Sequence, residues 1–67
     1  MELTKMETLL IDGLRFFDLS DEDQEAIFLI LRTEEQQVLM MDYLVDNRNA
    51  SGQDIMKEML RIYRATK

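Results

Sequence analysis

The side chains that most enzymes use for nucleophilic and metal chemistry are scarce in this 67-residue chain. It contains no histidine and no cysteine, which removes the commonest general base, the commonest transition-metal ligand and every thiolate. Ser20 and Ser51 are the only serines, and each precedes an aspartate at the spacing of a helix cap. No glycine-rich phosphate loop is present. We therefore expect a protein that is not an enzyme and that holds no cofactor and no metal.

One segment resembles a degenerate EF-hand calcium loop. Asn47, Asn49 and Ser51 offer side-chain oxygens at positions 1, 3 and 5 of such a loop, while Gly52 and Glu58 occupy positions 6 and 12. An EF-hand normally begins with aspartate, and Glu58 is the only expected ligand carboxylate that remains. A polar turn followed by a helix cap explains the same residues, and this is the interpretation that we adopt.

Basic residues are concentrated at the end of the chain. Residues 1–47 hold 12 of the 14 acidic residues and 3 of the 8 basic ones, so an acidic body precedes a basic last helix. Lys57, Arg61 and Arg64 recur at i, i+4 and i+7, on one helix face, and Arg48 flanks them. This arrangement loosely resembles a helix-turn-helix, which makes these four the candidate nucleic-acid-binding residues of a DNA-binding regulator. The net charge of −6 opposes that alternative. A helix face exposed to solvent is the simpler interpretation of these basic residues.

Acidic residues cluster near the starts of two predicted helices, where the positive end of the helix dipole favours them. The cluster consists of Asp18, Asp21, Glu22, Asp23, Glu25, Glu34 and Glu35. A negative surface of this kind could imitate DNA or inhibit a basic protein. The favourable interaction of acidic side chains with the helix dipole already explains most of the cluster. A protein that imitates DNA or inhibits a basic protein is therefore only a further alternative.

Apolar spacing and capping patterns predict the elements that position these side chains. A first helix over 2–17 carries a stripe of apolar residues spaced by three and four, namely Leu3, Met6, Leu10, Leu14 and Phe17. Three capping boxes, which begin at Ser20, Thr33 and Ser51, predict further helices over 21–32, 34–46 and 52–65. The predicted fold is all-α, a single domain formed by a compact bundle of about four short helices. Gly13 would permit close approach of a neighbour to the first helix.

The two central helices carry more apolar surface than a surface helix needs. Every direction around the helix is apolar over 26–31, and over 38–45 only Asp42 interrupts. A surface helix normally shows one apolar stripe, so the surplus predicts an exposed patch covered by a partner. The outer helices could instead cover the central pair. The residues that we expect to bind the partner are Phe28, Leu31, Met40, Met41 and Leu44.

Targeting signals are not evident in the sequence. The longest apolar run, over 26–31, is far shorter than the roughly 20 residues of a membrane helix, and no secretory signal pattern is present. We therefore expect a small cytoplasmic helical protein that acts through protein–protein contact, as a homodimer or as a subunit, in a regulatory role. The DNA-binding regulator and the acidic DNA mimic or inhibitor stay open as alternatives.

Overall fold

Four α-helices form the regular structure of the computed structural model, which describes residues 3–67. They are α1 (Lys5–Leu14), α2 (Asp21–Ile30), α3 (Glu34–Asp46) and α4 (Gly52–Thr66). Strands are absent from the described residues, and the all-α fold class predicted from the sequence is confirmed. The Cα radius of gyration is 10.8 Å, close to the value of about 11 Å expected for a compact chain of this length.

A side-chain cap precedes each helix. The capping boxes predicted at Thr33 and Ser51 are formed in full, with both reciprocal hydrogen bonds. At the start of α2, the Ser20 hydroxyl accepts a hydrogen bond from the Asp23 backbone N–H over 3.1 Å. Only this half of the predicted box is formed. These caps satisfy backbone N–H groups that have no partner inside the helix.

The first helix is shorter than the predicted span of 2–17. Its predicted start at residue 2 lies outside the described residues. The structure begins α1 at Lys5, because Thr4 and Glu7 form a fourth capping box that the sequence analysis missed. After Arg15 the N–H groups of Phe16 and Phe17 bond to carbonyls three positions back, those of Gly13 and Leu14, which tightens the chain and ends the helix.

The second helix ends at Ile30, two residues before the predicted boundary. Leu31 has left helical geometry and is buried at the turn into α3. The buried side chain of Gln37 donates a hydrogen bond from Nε2 to the Leu31 carbonyl over 3.0 Å. A buried carbonyl at a helix end needs such a partner, so a glutamine from the next helix holds this turn in place.

A second glutamine ties the start of α3 to the end of α4. Gln36 Oε1 accepts hydrogen bonds from the backbone N–H groups of Arg32 and Thr33, over 3.0 and 3.2 Å. Its Nε2 donates to the Thr66 hydroxyl over 2.9 Å. Thr66 is the last residue of α4, which ends one residue beyond the predicted boundary.

The third helix lies at the centre of the packing. It packs against α1 and against α4, while α2 packs against α4. All four helices and the α2–α3 turn contribute to one buried core, which contains Leu10, Leu14, Ile27, Leu31, Met40, Leu44, Ile55, Met59 and Ile62. Burial of their apolar area stabilises the fold by about 25 cal/mol per Å² removed from water.

Gly13 lies where α1 and α3 approach each other closely, as the sequence predicts. A Cβ atom at this position would lie 2.9 Å from Met41 Sδ.

We expect Gly13→Ala to change the free energy of unfolding by less than about 1 kcal/mol, because better helix propensity offsets a small shift of the flexible methionine. Gly13→Leu should lower it by about 2 kcal/mol through overpacking. Urea unfolding measures both, with Thr8→Leu on the exposed side of α1 as control. Equal stability of the two leucine variants would contradict close packing here.

A candidate protein-interaction face on α1 and α3

Three of the five residues predicted to bind a partner are buried inside the chain. Leu31 and Met40 are 0% exposed and Leu44 is 3% exposed, so the expectation that they form a surplus exposed surface is wrong. They are buried because α3 has neighbours on two sides and the α2–α3 turn folds inward. Phe28 and Met41 are partly buried and pack against the core.

The exposed apolar surface begins on α1. Phe16, just beyond the last residue of the helix, is 89% exposed, the largest exposed fraction among the large hydrophobic residues described. Leu9 is exposed as well and lies four positions before Gly13, on the same side of α1. Phe16 lies beyond the helix end and lines one concavity together with Gly13. This side of α1 lies next to the buried stripe that contains Leu10 and Leu14. The α1 helix therefore has a second apolar stripe along its edge.

The facing edge of α3 is apolar in the same way. Val38 and Val45 are exposed and Met41 is partly buried. Their spacing of i, i+3 and i+7 places them on one side of the helix, next to the side that buries Met40 and Leu44. Because Gly13 lies against Met41, the two apolar edges are neighbours.

A groove of about 280 Å³ joins the two edges. Gly13, Phe16 and Phe17 line it from the α1 side, and Met41, Leu44, Val45 and Arg48 line it from the α3 side. We define the α1–α3 face as the surface formed by the exposed edges and this groove, namely Leu9, Gly13, Phe16, Val38, Met41 and Val45. Met41 is the one member that the sequence analysis selected. For the α1 side of the face, the available signal was the spacing of Leu9, Gly13 and Phe16 in the sequence.

The basic residues of α4 form a separate surface. Lys57, Arg61 and Arg64 are exposed and line one shallow concavity together with Leu60. We call these three cations the basic ridge. Arg48, the fourth candidate nucleic-acid-binding residue, does not join them but lines the groove of the α1–α3 face. The structure therefore brings together three of the four predicted residues.

One cation of the basic ridge is already paired. The Arg61 guanidinium donates to both carboxylate oxygens of Glu58, with an Nε–Oε1 distance of 2.8 Å. This hydrogen-bonded pair lowers the pKa of the Glu58 carboxyl, since the charged form is the one that Arg61 stabilises. A second charge partner for Arg61, such as a phosphate, would have to compete with Glu58.

The predicted acidic surface consists of side chains at helix starts. Asp21, Glu22 and Asp23 lie in the first turn of α2, and Glu34 and Glu35 lie in the first turn of α3. Asp18 and Glu25 are exposed nearby. These positions match the dipole explanation, and nothing in the arrangement distinguishes a DNA mimic from ordinary helix starts.

In the segment that resembles a calcium loop, the side chains of Ser51 and Glu58 have hydrogen-bond partners within the chain. The Ser51 hydroxyl accepts from the Asp54 N–H, and the Asp54 carboxylate accepts from the Ser51 N–H. The Glu58 carboxylate is held by Arg61. Over residues 3–67, no three His, Cys, Asp or Glu side chains lie close enough to hold a metal ion together.

Comparison with known protein families, with curated proteins and with solved structures finds no match to this chain. Among the described helices, none has the length and apolar character needed to cross a membrane. Function must therefore be inferred from the surfaces of this chain alone.

Proposed function

We propose that this protein acts through protein–protein contact and that a second copy of the chain covers the α1–α3 face. The observation that carries the proposal is the continuity of the exposed apolar edges of α1 and α3, with Phe16 89% exposed in the groove between them. Monomeric proteins rarely leave large contiguous apolar surfaces in water. An aromatic ring that protrudes next to a groove is a common anchor of protein interfaces.

The size of the chain favours a partner that adds stability. A domain of about 60 residues buries only about 60% of the surface that its unfolded chain exposes, so its stability as a monomer is small. This chain has no disulfide to compensate. Binding of a partner to the folded state alone adds stability in proportion to the logarithm of the partner's concentration. A homodimer supplies that partner from the same gene product.

Sedimentation equilibrium of the purified chain tests the proposal. We expect the mass of two 8.0 kDa chains at micromolar concentration, and a melting temperature that rises with protein concentration because dimerisation stabilises the folded state. A well-folded monomer throughout the micromolar range, with a melting temperature that does not depend on concentration, would contradict the homodimer.

The basic ridge supports a second candidate, a DNA-binding regulator. Lys57, Arg61 and Arg64 share one exposed side of α4, a position from which cations contact phosphates. The acidic remainder of the chain weighs against this candidate because it repels the DNA backbone. The acidic mimic, the regulatory role and the cytoplasmic location stay predictions.

Replacement of the three ridge cations by alanine separates the two candidates. If the chain binds DNA, the triple variant should lose its electrophoretic shift at low salt, since each lost phosphate contact weakens binding. The mass in solution should not change. The matched control replaces the same number of cations elsewhere, as Lys5→Ala, Arg15→Ala and Arg32→Ala, so that net charge is equal in both proteins. If neither the unmodified chain nor the control shifts duplex or single-stranded DNA, the second candidate is wrong.

A further inference from the structure

We infer that the two copies meet through antiparallel α3 helices, related by a two-fold axis close to Met41, so that Arg48 of each copy faces Glu34 of the other. This inference depends on the proposed homodimer and adds its geometry. It is carried by the arrangement of apolar and charged side chains along one side of α3 and at the turn that follows it, which is complementary to itself when reversed.

The order of side chains on this edge is acid, apolar stripe, base. Glu34 lies one helical turn before Val38, and these two share one side of α3 with Val45. Arg48 lies two residues beyond the end of α3 and lines the groove together with Val45. Both Glu34 and Arg48 are exposed. The ion pairs found among the described residues involve neither of them.

The order of the charges matches when one copy is reversed. The midpoint between Val38 and Val45 lies between residues 41 and 42. At 1.5 Å per residue, Glu34 lies about 11 Å from this midpoint in one direction, and Arg48 follows the end of α3 in the other direction. An antiparallel copy therefore brings opposite charges together at both ends of the stripe. A parallel copy would place acid against acid and base against base.

The α1 edge is compatible with the same arrangement. Phe16 shares the groove with Val45 and Arg48, so it lies at the basic end of the face. Leu9 lies on the other side of Gly13 and therefore toward the opposite end. The two-fold axis would bring Phe16 of each copy over the end of the face that contains Leu9 and Val38 in the other copy, so that the most exposed ring meets apolar surface.

Charge reversal tests the proposed pairs. At low salt, Arg48→Glu and Glu34→Arg should each weaken the homodimer about tenfold or more, because each variant creates two like-charge contacts. An equimolar mixture of the two variants should recover the affinity, since a heterodimer restores opposite charges at both ends. Arg32→Glu and Glu22→Arg are matched controls at exposed positions that the argument does not use, and their dimers should keep the original affinity.

Introduced cysteines test the direction of the helices, because the natural chain has none. Under mild oxidation, a mixture of Val38→Cys and Val45→Cys proteins should form a disulfide-linked heterodimer, while each variant alone should stay largely unlinked. Efficient linking of each variant to itself, with no link between the two different variants in the mixture, would overturn the antiparallel arrangement.

The outcomes distinguish this inference from the proposed function. A dimer whose affinity is unaffected by both charge reversals would overturn the Arg48–Glu34 pairs while it left the homodimer intact. A chain that is monomeric without any substitution would overturn the homodimer and this geometry together. Recovery of affinity in the mixture, combined with linking between the two different cysteine variants, is the expected result.

Discussion

Leu31→Ala is expected to lower the free energy of unfolding by about 3 kcal/mol, because it removes a fully buried side chain and leaves a cavity in a core that collapses only partly. The sequence suggested that Leu31 binds a partner, whereas the structure places it in the core between α2 and α3. A single core of this size supplies only about 3–5 kcal/mol of net stability. Much of the variant should therefore be unfolded near body temperature, as measured by urea and thermal unfolding followed by circular dichroism.

Leu29→Ala is the matched control for this prediction. It makes the same chemical change in α2 at a position that is 68% exposed, so the free energy of unfolding should change by less than about 0.5 kcal/mol. If Leu31→Ala instead left the chain fully folded and lowered only its assembly, the residue would belong to an interface and the burial described here would be contradicted.

The helix starts were predictable because their signals are local. A capping residue and its partner lie three positions apart, so the starts of α2, α3 and α4 at 21, 34 and 52 follow from short sequence patterns. The start of α1 obeys the same rule at Thr4 and Glu7. The apolar stripe begins at Leu3, before this cap, and therefore predicts a start that is too early.

The end of α2 and the burial of two glutamines depend on distant contacts. Gln36 and Gln37 belong to a residue type that is mostly exposed, yet they are only 6% and 4% exposed. Their amides satisfy backbone groups at the α2–α3 turn, and one of them also reaches Thr66 in α4. A pattern within one helix cannot show that a turn and a distant helix end converge on the same side chain.

The existence of an exposed apolar surface was predictable, but its location was not. The all-apolar character of the central segments indicates more apolar surface than one side can bury. Which side stays exposed is decided by where the neighbouring helices pack. In α3, Met40 faces the core while Val38 and Val45 remain exposed, although the residue types alone do not distinguish them. In α2 the packing leaves Leu29 exposed.

Replacement of Phe16 by aspartate should have the largest effect on assembly. Burial of a phenylalanine side chain contributes about 1.5–3 kcal/mol, and a two-fold interface contains the residue twice. The dimer should therefore lose at least about 3 kcal/mol, which weakens it more than about 100-fold. The introduced carboxylate adds a desolvation cost and repels the acidic partner. We expect a monomer at micromolar concentration by sedimentation equilibrium.

Phe16→Asp should leave the fold of the monomer intact, because the ring is 89% exposed and contributes little to the core. Helical circular dichroism should keep its shape, while the melting temperature should lose its dependence on protein concentration. Leu29→Asp is the matched control, since it places the same carboxylate at an exposed apolar position on α2, away from the α1–α3 face. Dissociation by Leu29→Asp but not by Phe16→Asp would move the interface to α2 and contradict the α1–α3 face.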